Sequence, residues 1–449
     1  MRILMLTWEF PPMIAGGLAM ASYGLVKSLL KAGVEVDLFL PTKEFVYFPL
    51  RKEDDADSLP FIMLDENFQP RKEEVVTKEF KTIEEKMEYL GVTHIPETYY
   101  TPALVKEFTN LVSTFKTEEI EHRSERSIFE NIVINLQGHE DIFKKVQEMA
   151  FRAEKLAELT DFDLIHANDW LCYPAGMIVK KMTGKPLIAH IHATEFDRAG
   201  GPGDDRIHKI EYSGMLYADQ VVAVSKYTAQ MIISRYQIDT GKVNIVHNAF
   251  SFEKDNNFNK ERMFKGPTVL FLGRITVQKG PDYFLSVAEK VLKKYPQVRF
   301  IMAGTGDMAR KILRSSASMK LKNRFLFAGF LNRKQVERIL QASDIYMLPS
   351  VSEPFGIAPL EAMAYGITSI ISKQSGVSEV VEHAYKIDFW NVDEMAQTLI
   401  YLIEHPDECQ KVGQLGAREV KAIQWDKSAE RVKKLYKKML DSNRGEIDA

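Results

Sequence analysis

Short runs of apolar residues alternate with longer segments of helical periodicity along most of the 449-residue chain. This alternation predicts βαβ units, in which parallel strands form a sheet and the helices cover its faces. In the first half of the chain the predicted strands are 3–6, 34–40, 162–167, 187–191, 220–224 and 243–247. In the second half they are 268–272, 298–303, 325–327, 345–348 and 369–371, with helices such as 282–294 and 358–365 between them. The fold class is therefore predicted to be α/β.

Two interruptions divide this pattern. Residues 42–155 are charged and irregular, and because a structureless segment of that length is improbable in a compact domain, we predict an insertion of loops and helices. Residues 251–266 are polar and aperiodic, which is typical of a linker. The predicted domains are accordingly 1–250 and 251–424. The last segment, 425–449, has apolar residues at helical spacing up to about residue 440, which predicts an amphipathic helix that docks on another part of the protein.

Composition excludes several classes of protein. The formal net charge of −3 argues against a general nucleic-acid-binding protein, which usually has a basic domain or stripe. The two cysteines, Cys172 and Cys409, form no CxxC pattern, so neither a disulfide framework nor a zinc site is predicted. The first residues lack the features of a secretory signal, and no apolar window approaches the ~18 residues needed to cross a bilayer. We therefore expect a soluble cytoplasmic protein without a transmembrane segment.

A glycine pair, Gly16 and Gly17, follows the first predicted strand. Glycines between a strand and a helix permit positive φ angles and close approach of the backbone, so a phosphate or a sugar could bind there. The pattern is not GxGxxG, and a plain tight turn is an equally good interpretation of the doublet.

Two cations follow the first predicted strand of the second half, in Gly273-Arg274 and Lys279-Gly280. Ligands of open α/β sheets bind at the carboxyl ends of the strands, so these cations suit a diphosphate. A surface loop with solvated cations is the alternative interpretation.

The segment 350–363 has one carboxylate, Glu353, before a predicted helix and a second, Glu361, inside it. Eight residues separate the two, about two helical turns, so we do not expect them to share a metal ion. They could bind the hydroxyls of a sugar and of a ribose in one long ligand, while N–H groups near Gly356 and Ile357 face its phosphates. Taken singly, each carboxylate is better interpreted as a helix-start or solvated residue.

Histidines occur in two segments that follow predicted strands, 166–170 and 190–198. In a regular strand His190 and His192 would share a face, so a zinc pair is conceivable, but no third ligand is evident and none is predicted. We expect the strand to end between them, so that only His192 reaches the edge of the sheet. A structural role is the alternative for each histidine.

Other catalytic signatures are weak or absent from the sequence. The DxD spacing of metal-dependent transferases occurs at 55–57 and 161–163, but both segments are interpreted as solvated turns, so no metal is predicted. No P-loop, nucleophile elbow or HExxH motif is found.

Taken together, these motifs resemble the signatures of the retaining glycosyltransferases with the GT-B fold. The segment from Glu353 to Met363 is similar to their EPFG…EA signature, and Arg274 with Lys279 resembles their phosphate-binding pair. The resemblance covers the whole chain except 42–155. It implies two Rossmann-like domains that face each other across a cleft, with the final helix crossing back to the first domain.

The first half resembles bacterial and archaeal glycogen and starch synthases in particular, through 8–12, 16–19 and His166-Ala-Asn-Asp-Trp170. Two positions depart from the glycogen synthase pattern, because Ile14 and Leu171 stand where a lysine and a histidine are usual. The Asn-Gly of the domain junction is Asn248-Ala249 here.

The resemblance also implies a role for each site residue. Arg274 and Lys279 would neutralise the leaving diphosphate, Glu353 would bind the hydroxyls of the transferred sugar, and His192 would lie beside that sugar near its anomeric carbon. These four are the implied catalytic residues. Glu361 would hold the ribose hydroxyls. The implied donor-binding residues are Gly16, Gly17, Asn248, Gly273, Phe355, Gly356, Ile357 and Glu361. Neither a cofactor nor a metal is implied, since the nucleotide-sugar is a substrate.

The activity implied by the resemblance is metal-independent transfer of a hexose, glucose above all, from ADP- or UDP-glucose to an α-glucan. The alternatives are a related hexosyltransferase that acts on a small or lipid-linked acceptor, a non-catalytic nucleotide-sugar-binding subunit, and a GT-B epimerase. The expected partners are a nucleotide-sugar donor and a carbohydrate acceptor, without nucleic acid. The donor base, the acceptor and the oligomeric state are left open by the sequence.

Overall fold

The computed structural model describes residues 1–10, 17–41, 46–50, 62–63, 141–250, 264, 266–319, 321 and 324–447. Gly16, Ile14, the acidic pair 55–57, most of the predicted insertion and most of the predicted linker lie outside the described residues. Within the described residues the chain forms two separate sheets, which confirms the predicted α/β class.

The first sheet contains eight strands. They are β1 (Arg2–Leu6), β2 (Glu35–Leu40), β3 (Val46–Leu50), β4 (Ile62–Met63), β5 (Leu164–Asn168), β6 (Leu187–Ile191), β7 (Gln220–Ala223) and β8 (Val243–Ile245). Their order across the sheet is β4-β3-β2-β1-β5-β6-β7-β8, and all neighbours are parallel except at β3 and β4. Its helices are α1 (Gly17–Lys31), α2 (Asp141–Leu159), α3 (Tyr173–Thr183), α4 (Glu195–Ala199), α5 (Asp205–Tyr217) and α6 (Lys226–Tyr236), with a 3-10 helix at Thr240–Lys242.

Residues near both ends of the segment predicted to be an insertion belong to the first sheet or to the core beside it. Strand β3 pairs antiparallel with β2, although no alternation of apolar residues marked it in the sequence. Helix α2 buries Phe143, Val146 and Met149 in the same core as β5 and β6. These positions lie three residues apart, so they form the apolar stripe of an amphipathic helix that the surrounding charges had obscured.

The second sheet contains six parallel strands. They are β9 (Thr268–Leu272), β10 (Arg299–Ala303), β11 (Phe325–Gly329), β12 (Ile345–Leu348), β13 (Thr368–Ser372) and β14 (Tyr385–Ile387), in the order β11-β10-β9-β12-β13-β14. Its helices are α7 (Pro281–Lys294), α8 (Ala309–Ser318), α9 (Arg333–Gln341), α10 (Ile357–Ala364), α11 (Val392–Glu404) and α12 (Pro406–Val420), with 3-10 helices at Val277–Lys279 and Gly376–Glu379. The strand order reverses between β9 and β12, which is where open α/β sheets bind ligands.

The last helix, α13 (Trp425–Ile447), returns to the first sheet and packs against α1. The Trp425 indole lies so close to Gly24 that a Cβ there would be 2.2 Å from its Nε1 atom. Ser28 Oγ donates a hydrogen bond to Asp426 Oδ1 at 2.6 Å. The predicted crossing of the final helix back to the first half is therefore confirmed.

Three further observations concern membrane-spanning helices, metal ligands and cysteines among the same described residues. No helix there combines the length with the apolar character that crossing a membrane requires. No group of three or more His, Cys, Asp or Glu side chains there is arranged to hold a metal ion. Cys172 and Cys409 are both buried and are not disulfide-bonded.

Candidate active site

The loops after β9 and β10 interlock at the carboxyl edge of the second sheet. Gly273 N donates to Ala303 O at 3.1 Å, and Ile275 N donates to Thr305 O at 2.8 Å. Gly304 has φ +139°, and a Cβ there would lie 1.9 Å from Gly273 O, so only glycine permits this approach. The loop that carries Arg274 is thus held by its neighbour before any ligand binds, and Arg274 itself is exposed.

Lys279 and Glu353 lie together at this edge. Lys279 Nζ is 2.5 Å from Glu353 Oε2, although 74 residues separate them in the chain. Ser350 Oγ donates to the same oxygen at 3.2 Å. The backbone of Glu353 is fixed on both sides, because its N–H donates to Gln374 O and its carbonyl accepts from Gly376 N, each at 2.9 Å. The structure therefore brings together a cation and a carboxylate that the sequence singled out separately.

Helix α10 begins directly after this pair. Gly356 precedes the helix with φ +103°, and no side chain caps the first turn. The first N–H groups of α10 are therefore not satisfied by a side-chain cap, and the positive end of the helix dipole lies beside them. Phe355 is buried, Ile357 is the first residue of the helix, and Glu361 lies within it, as predicted.

The histidines follow β5 and β6 in the first sheet. Strand β6 ends at Ile191, which confirms that the strand ends between His190 and His192. The rings of His190 and His192 stack with centroids 4.2 Å apart. His166 Nε2 lies 3.0 Å from His190 Nδ1, and His166 Nδ1 lies 2.7 Å from the hydroxyl of Tyr436 on α13. His166 and His190 thus form a buried chain towards the last helix, which favours a structural role for both.

All three of these histidines are neutral at neutral pH. Burial lowers the pKa of His192 to about 3. Burial, with a smaller contribution from the charge of His192, lowers the pKa of His166 to about 3. The same causes hold the pKa of His190 well below its ordinary value. An imidazole here acts as a neutral hydrogen-bonding group, not as a cation.

Two residues that sequence reasoning missed hold His192. Asp169 Oδ1 accepts the backbone N–H of His192 at 2.7 Å and that of Ala193 at 3.4 Å. Asn168 Oδ1 lies 3.0 Å from His192 Nε2. Asp169 has φ +58°, a left-handed conformation that aspartate tolerates better than most residues. Both residues occur in the motif 166–170, but nothing in the motif alone indicates which side chain they contact.

The ionisation of Asp169 is unusual for a carboxylate. Burial raises its pKa to about 6, a shift that the charge of Arg198 and the backbone N–H groups of His192 and Ala193 oppose. This side chain therefore titrates in a mildly acidic pH range. Over that range the group that holds the loop of His192 changes from a neutral carboxylic acid to a charged carboxylate.

A buried group of charges supports the segment after His192. Arg198 donates to Ala193 O at 2.7 Å and to Glu195 Oε2 at 3.1 Å, and it also donates to Glu211. Burial raises the pKa of Glu211, although Arg198 opposes that shift. Burial alone would lower the pKa of Arg198, but Glu211, Asp169 and Glu195 hold it above its ordinary value. This cluster fixes the backbone beyond His192 through the carbonyl of Ala193.

Residues from helices and loops of the two halves meet around Glu353. Ser352 Oγ donates to Asp197 of α4, and the hydroxyls of Ser352 and Tyr227 lie 3.0 Å apart. Thr228 Oγ1 donates to Pro354 O at 3.3 Å. Beside them, a Cβ at Gly200 would lie 2.7 Å from the Val277 side chain in the 3-10 helix of Lys279. The two halves therefore contact each other directly next to the Lys279–Glu353 pair.

A further contact between the halves centres on Glu379, which the sequence did not indicate. Its carboxylate accepts the backbone N–H groups of Lys226 at 2.9 Å and Tyr227 at 2.7 Å, at the start of α6. His247 Nε2 lies 2.8 Å from the same carboxylate. Burial on its own would raise the pKa of Glu379, but the hydrogen bonds from His247, Lys226 and Tyr227 hold it below its ordinary value.

The remaining predicted donor-binding residues are Gly17, Asn248 and Gly273. Gly17 is the first residue of α1, and a Cβ there would meet nothing within 4 Å. Asn248 is buried near the end of the first half. Gly273 lies on the Arg274 loop, where a Cβ would also meet nothing within 4 Å. Open space at both glycines is compatible with a ligand, and their roles stay predictions.

Comparison with known proteins agrees with this geometry. The family described as "Starch synthase catalytic domain" matches residues 2–245, more than half of the chain, and "Glycosyl transferases group 1" matches residues 253–419. An uncharacterized glycosyltransferase of Methanocaldococcus jannaschii is 26% identical over 405 residues, which cover 85% of this chain and 83% of that protein. D-inositol 3-phosphate glycosyltransferase of Segniliparus rotundus is 24% identical over 319 residues, covering 66% and 71% respectively.

Among solved structures, sucrose-phosphate synthase from Thermosynechococcus elongatus superposes with a TM-score of 0.66 at 16% identity, covering 98% of this chain and 99% of that one. At this identity the likeness shows the fold, a GT-B arrangement of two Rossmann-like halves. The starch synthase catalytic domain matches the first half, and the group 1 glycosyltransferase family matches the second half. This is the order of the two halves in this fold. The chain therefore belongs to the starch synthase catalytic domain family and is a GT-B glycosyltransferase.

Proposed function

We propose that this glycosyltransferase transfers a hexose from a nucleoside diphosphate sugar to a carbohydrate acceptor, with retention of configuration and without a metal ion. The observation that carries the proposal is the 2.5 Å contact between Lys279 Nζ and Glu353 Oε2, immediately before a helix start that no side chain caps. A diphosphate requires cations and N–H donors, and a sugar requires a carboxylate for its hydroxyls. Both sets of groups lie at one edge of the second sheet.

In this proposal the second half stabilises the leaving group. Arg274, Lys279 and the N–H groups at Gly356 and Ile357 neutralise the charge that develops on the diphosphate as the glycosidic bond to it breaks. Two side-chain cations supply the positive charge that a divalent metal supplies in other transferases. The acceptor hydroxyl attacks from the face that the diphosphate leaves and gives its proton to the departing diphosphate oxygen, so the anomeric configuration is retained. Contacts such as Ser352 to Asp197 keep the halves together and exclude water from the cleft.

The specific reaction we propose is transfer of glucose from ADP- or UDP-glucose to an α-glucan. The match of the starch synthase catalytic domain over residues 2–245 supports the glucan acceptor. A small phosphorylated or lipid-linked acceptor is the second candidate. Leu171 favours it, because this partly buried apolar residue packs on the core where glycogen synthases usually have a histidine.

The test measures nucleoside diphosphate release, with a chelator present, from ADP-glucose and UDP-glucose, each with and without glycogen. Glycogen-dependent release is the expected result, and the anomeric configuration of the product then tests retention. Release only with small sugar phosphates or lipid-linked sugars would overturn the glucan acceptor. Loss of activity on chelation would overturn metal independence, and donor binding without any product would overturn transfer itself.

A further inference from the structure

One edge of the second sheet is strongly basic. Residues 309–338, which comprise α8, the edge strand β11 and most of α9, contain nine Lys or Arg residues and one acidic residue, Glu337. The net charge of this segment is therefore +8, whereas that of the whole chain is −3. Because a solvated surface normally mixes the two signs of charge, this segregation distinguishes the edge from an ordinary protein surface.

Several of these cations are not neutralised within the described part of the protein. Arg310 and Arg314 on α8 and Arg338 on α9 are exposed, and none of the three forms an ion pair with a described residue. Lys311 differs from them, because its Nζ atom lies 2.9 Å from Asp282 Oδ2 on α7. The charge of the three arginines is therefore available to an anionic partner.

Protection of the edge strand does not account for these cations. A strand with unpaired backbone groups is often protected from aggregation by charged side chains on the strand itself. Strand β11 (Phe325–Gly329) has no charged residue, and the cations lie on the helices that precede and follow it. The chain moves outward to β11 through α8 and back to β12 through α9, so right-handed crossovers place the two helices on opposite faces of the sheet. Their cations therefore flank the edge from both sides.

Apolar side chains are exposed among the cations of α8. Positions 310, 313, 314 and 317 are three or four residues apart, so Arg, Leu, Arg and Ala share one face of the helix, and all four are exposed. Leu313 is 44% exposed, and Met319, just after the helix, is 36% exposed. Cations combined with exposed apolar groups are typical of helices that bind the surface of an anionic bilayer. Single-stranded nucleic acids instead stack their bases on aromatic side chains, and neither Leu313 nor Met319 is aromatic.

We propose that the edge formed by α8, β11 and α9 binds the surface of a bilayer that contains anionic lipid. Arg314 and Arg338 contact the headgroups, and Leu313 enters the boundary between the headgroups and the acyl chains. None of these residues belongs to the candidate active site. The proposal therefore goes beyond the transfer reaction and holds whichever donor and acceptor the enzyme uses.

Sedimentation of the full chain with vesicles tests this proposal. We expect binding to vesicles of phosphatidylcholine and phosphatidylglycerol in equal parts, no binding to phosphatidylcholine alone, and weaker binding as added salt screens the charges. Arg314→Glu with Arg338→Glu should lower the partition coefficient at least about 25-fold, which is about fivefold for each cation lost. The matched control, Arg418→Glu with Lys421→Glu, reverses two exposed cations on and just after α12, which packs on β13 towards the other end of the sheet, and should leave binding unchanged. Equal binding to both kinds of vesicle, binding to neither, or equal effects of the two double variants would overturn the proposal.

A second variant separates a bilayer from a nucleic acid as the partner. Leu313 is exposed, so Leu313→Gln should leave the midpoint of urea unfolding unchanged. Loss of its apolar contact should lower binding to the anionic vesicles by a factor of about three to five. Unchanged vesicle binding by Leu313→Gln would overturn the bilayer as the partner. Tighter binding of the wild type to a single-stranded RNA than to the vesicles, at equal phosphate concentration, would overturn it as well.

Discussion

The carboxylate of Glu379 joins the two halves of the protein through His247, whose Nε2 atom lies 2.8 Å away. The same carboxylate accepts hydrogen bonds from the first two N–H groups of α6, a helix of the other half. A helix is usually capped by a residue of its own chain segment. Ser225 does this for α6, because its side chain accepts the N–H of Thr228. Glu379 adds acceptors for the N–H groups of Lys226 and Tyr227 from 153 and 152 residues away in the sequence, so these two bonds form only when the halves come together.

Glu379→Ala should weaken this closure. We expect the free energy of unfolding to fall by about 1 kcal/mol, a typical cost of losing a side-chain acceptor at a helix start, and the KM for the donor to rise. Urea unfolding measures the first effect and donor titration the second. Glu382→Ala, which changes an exposed carboxylate three residues away, is the control and should alter neither quantity. Equal effects of the two substitutions would contradict the role of Glu379 as an acceptor for the start of α6.

Arg274→Ala should affect turnover and leave folding intact. Arg274 is exposed, so its removal should change the unfolding free energy by less than about 0.5 kcal/mol. Loss of one group that stabilises developing charge should lower kcat by a factor of about 10²–10³. Arg418→Ala, a second exposed arginine, should change neither. A loss of stability as large as the loss of activity would show that Arg274 is structural.

Lys279 and Glu353 should stabilise the fold as a pair, whereas activity should require both charged groups. The Lys279 side chain is 16% exposed and that of Glu353 is 7% exposed, so Lys279→Ala leaves a nearly buried carboxylate without its cation. The expected cost is on the order of 3 kcal/mol. The double variant Lys279→Met with Glu353→Gln should recover most of that stability and remain inactive.

A double-mutant cycle on this pair measures the coupling. The exposed pair Lys290 and Asp393, whose side chains are 45% and 74% exposed, provides the matched control and should show little coupling. Recovery of turnover in the neutral double variant would contradict the proposed roles of both groups.

Asp169→Asn should change how stability depends on pH. The folded-state pKa of Asp169 is raised to about 6 from 3.8, so the unfolded chain loses this proton first as the pH rises. The contribution of Asp169 to stability is thus fully present below pH 4 and is lost as the pH rises through about 6. The shift corresponds to about 3 kcal/mol, by which wild type should decline relative to Asp169→Asn between pH 4 and 7.

Unfolding in urea at a series of pH values tests this expectation. Asparagine retains an acceptor for the N–H groups of His192 and Ala193 and tolerates the left-handed backbone. Asp161→Asn, at a side chain that is 93% exposed, is the control. A constant difference between wild type and Asp169→Asn over that range would show that Asp169 does not titrate there.

Local patterns in the sequence were sufficient to predict most of the strands and the loops that carry chemistry. Strand 268–272 and the pair Glu353 and Glu361 follow from apolar runs and turn residues, which act over a few positions. Strand β14 was missed because three residues, Tyr385–Ile387, are too few to form a periodic pattern. The partners of individual side chains were also missed, as with His166 and Tyr436, which are 270 residues apart. Such contacts depend on how complete elements pack, and no local signal records them.

The return of α13 to the first sheet bears on how the protein folds during its synthesis. Leu25 and Leu29 on α1 belong to the same apolar core as Val432 and Tyr436 on α13, whose first residue follows the end of α1 by roughly 400 residues. At a translation rate of about 5–20 residues per second, the ribosome needs roughly 20–80 s to make the intervening chain. During that interval α1 presents an uncovered apolar surface to which a chaperone can bind. The half of the protein that is made first therefore completes its core only after its last helix has emerged.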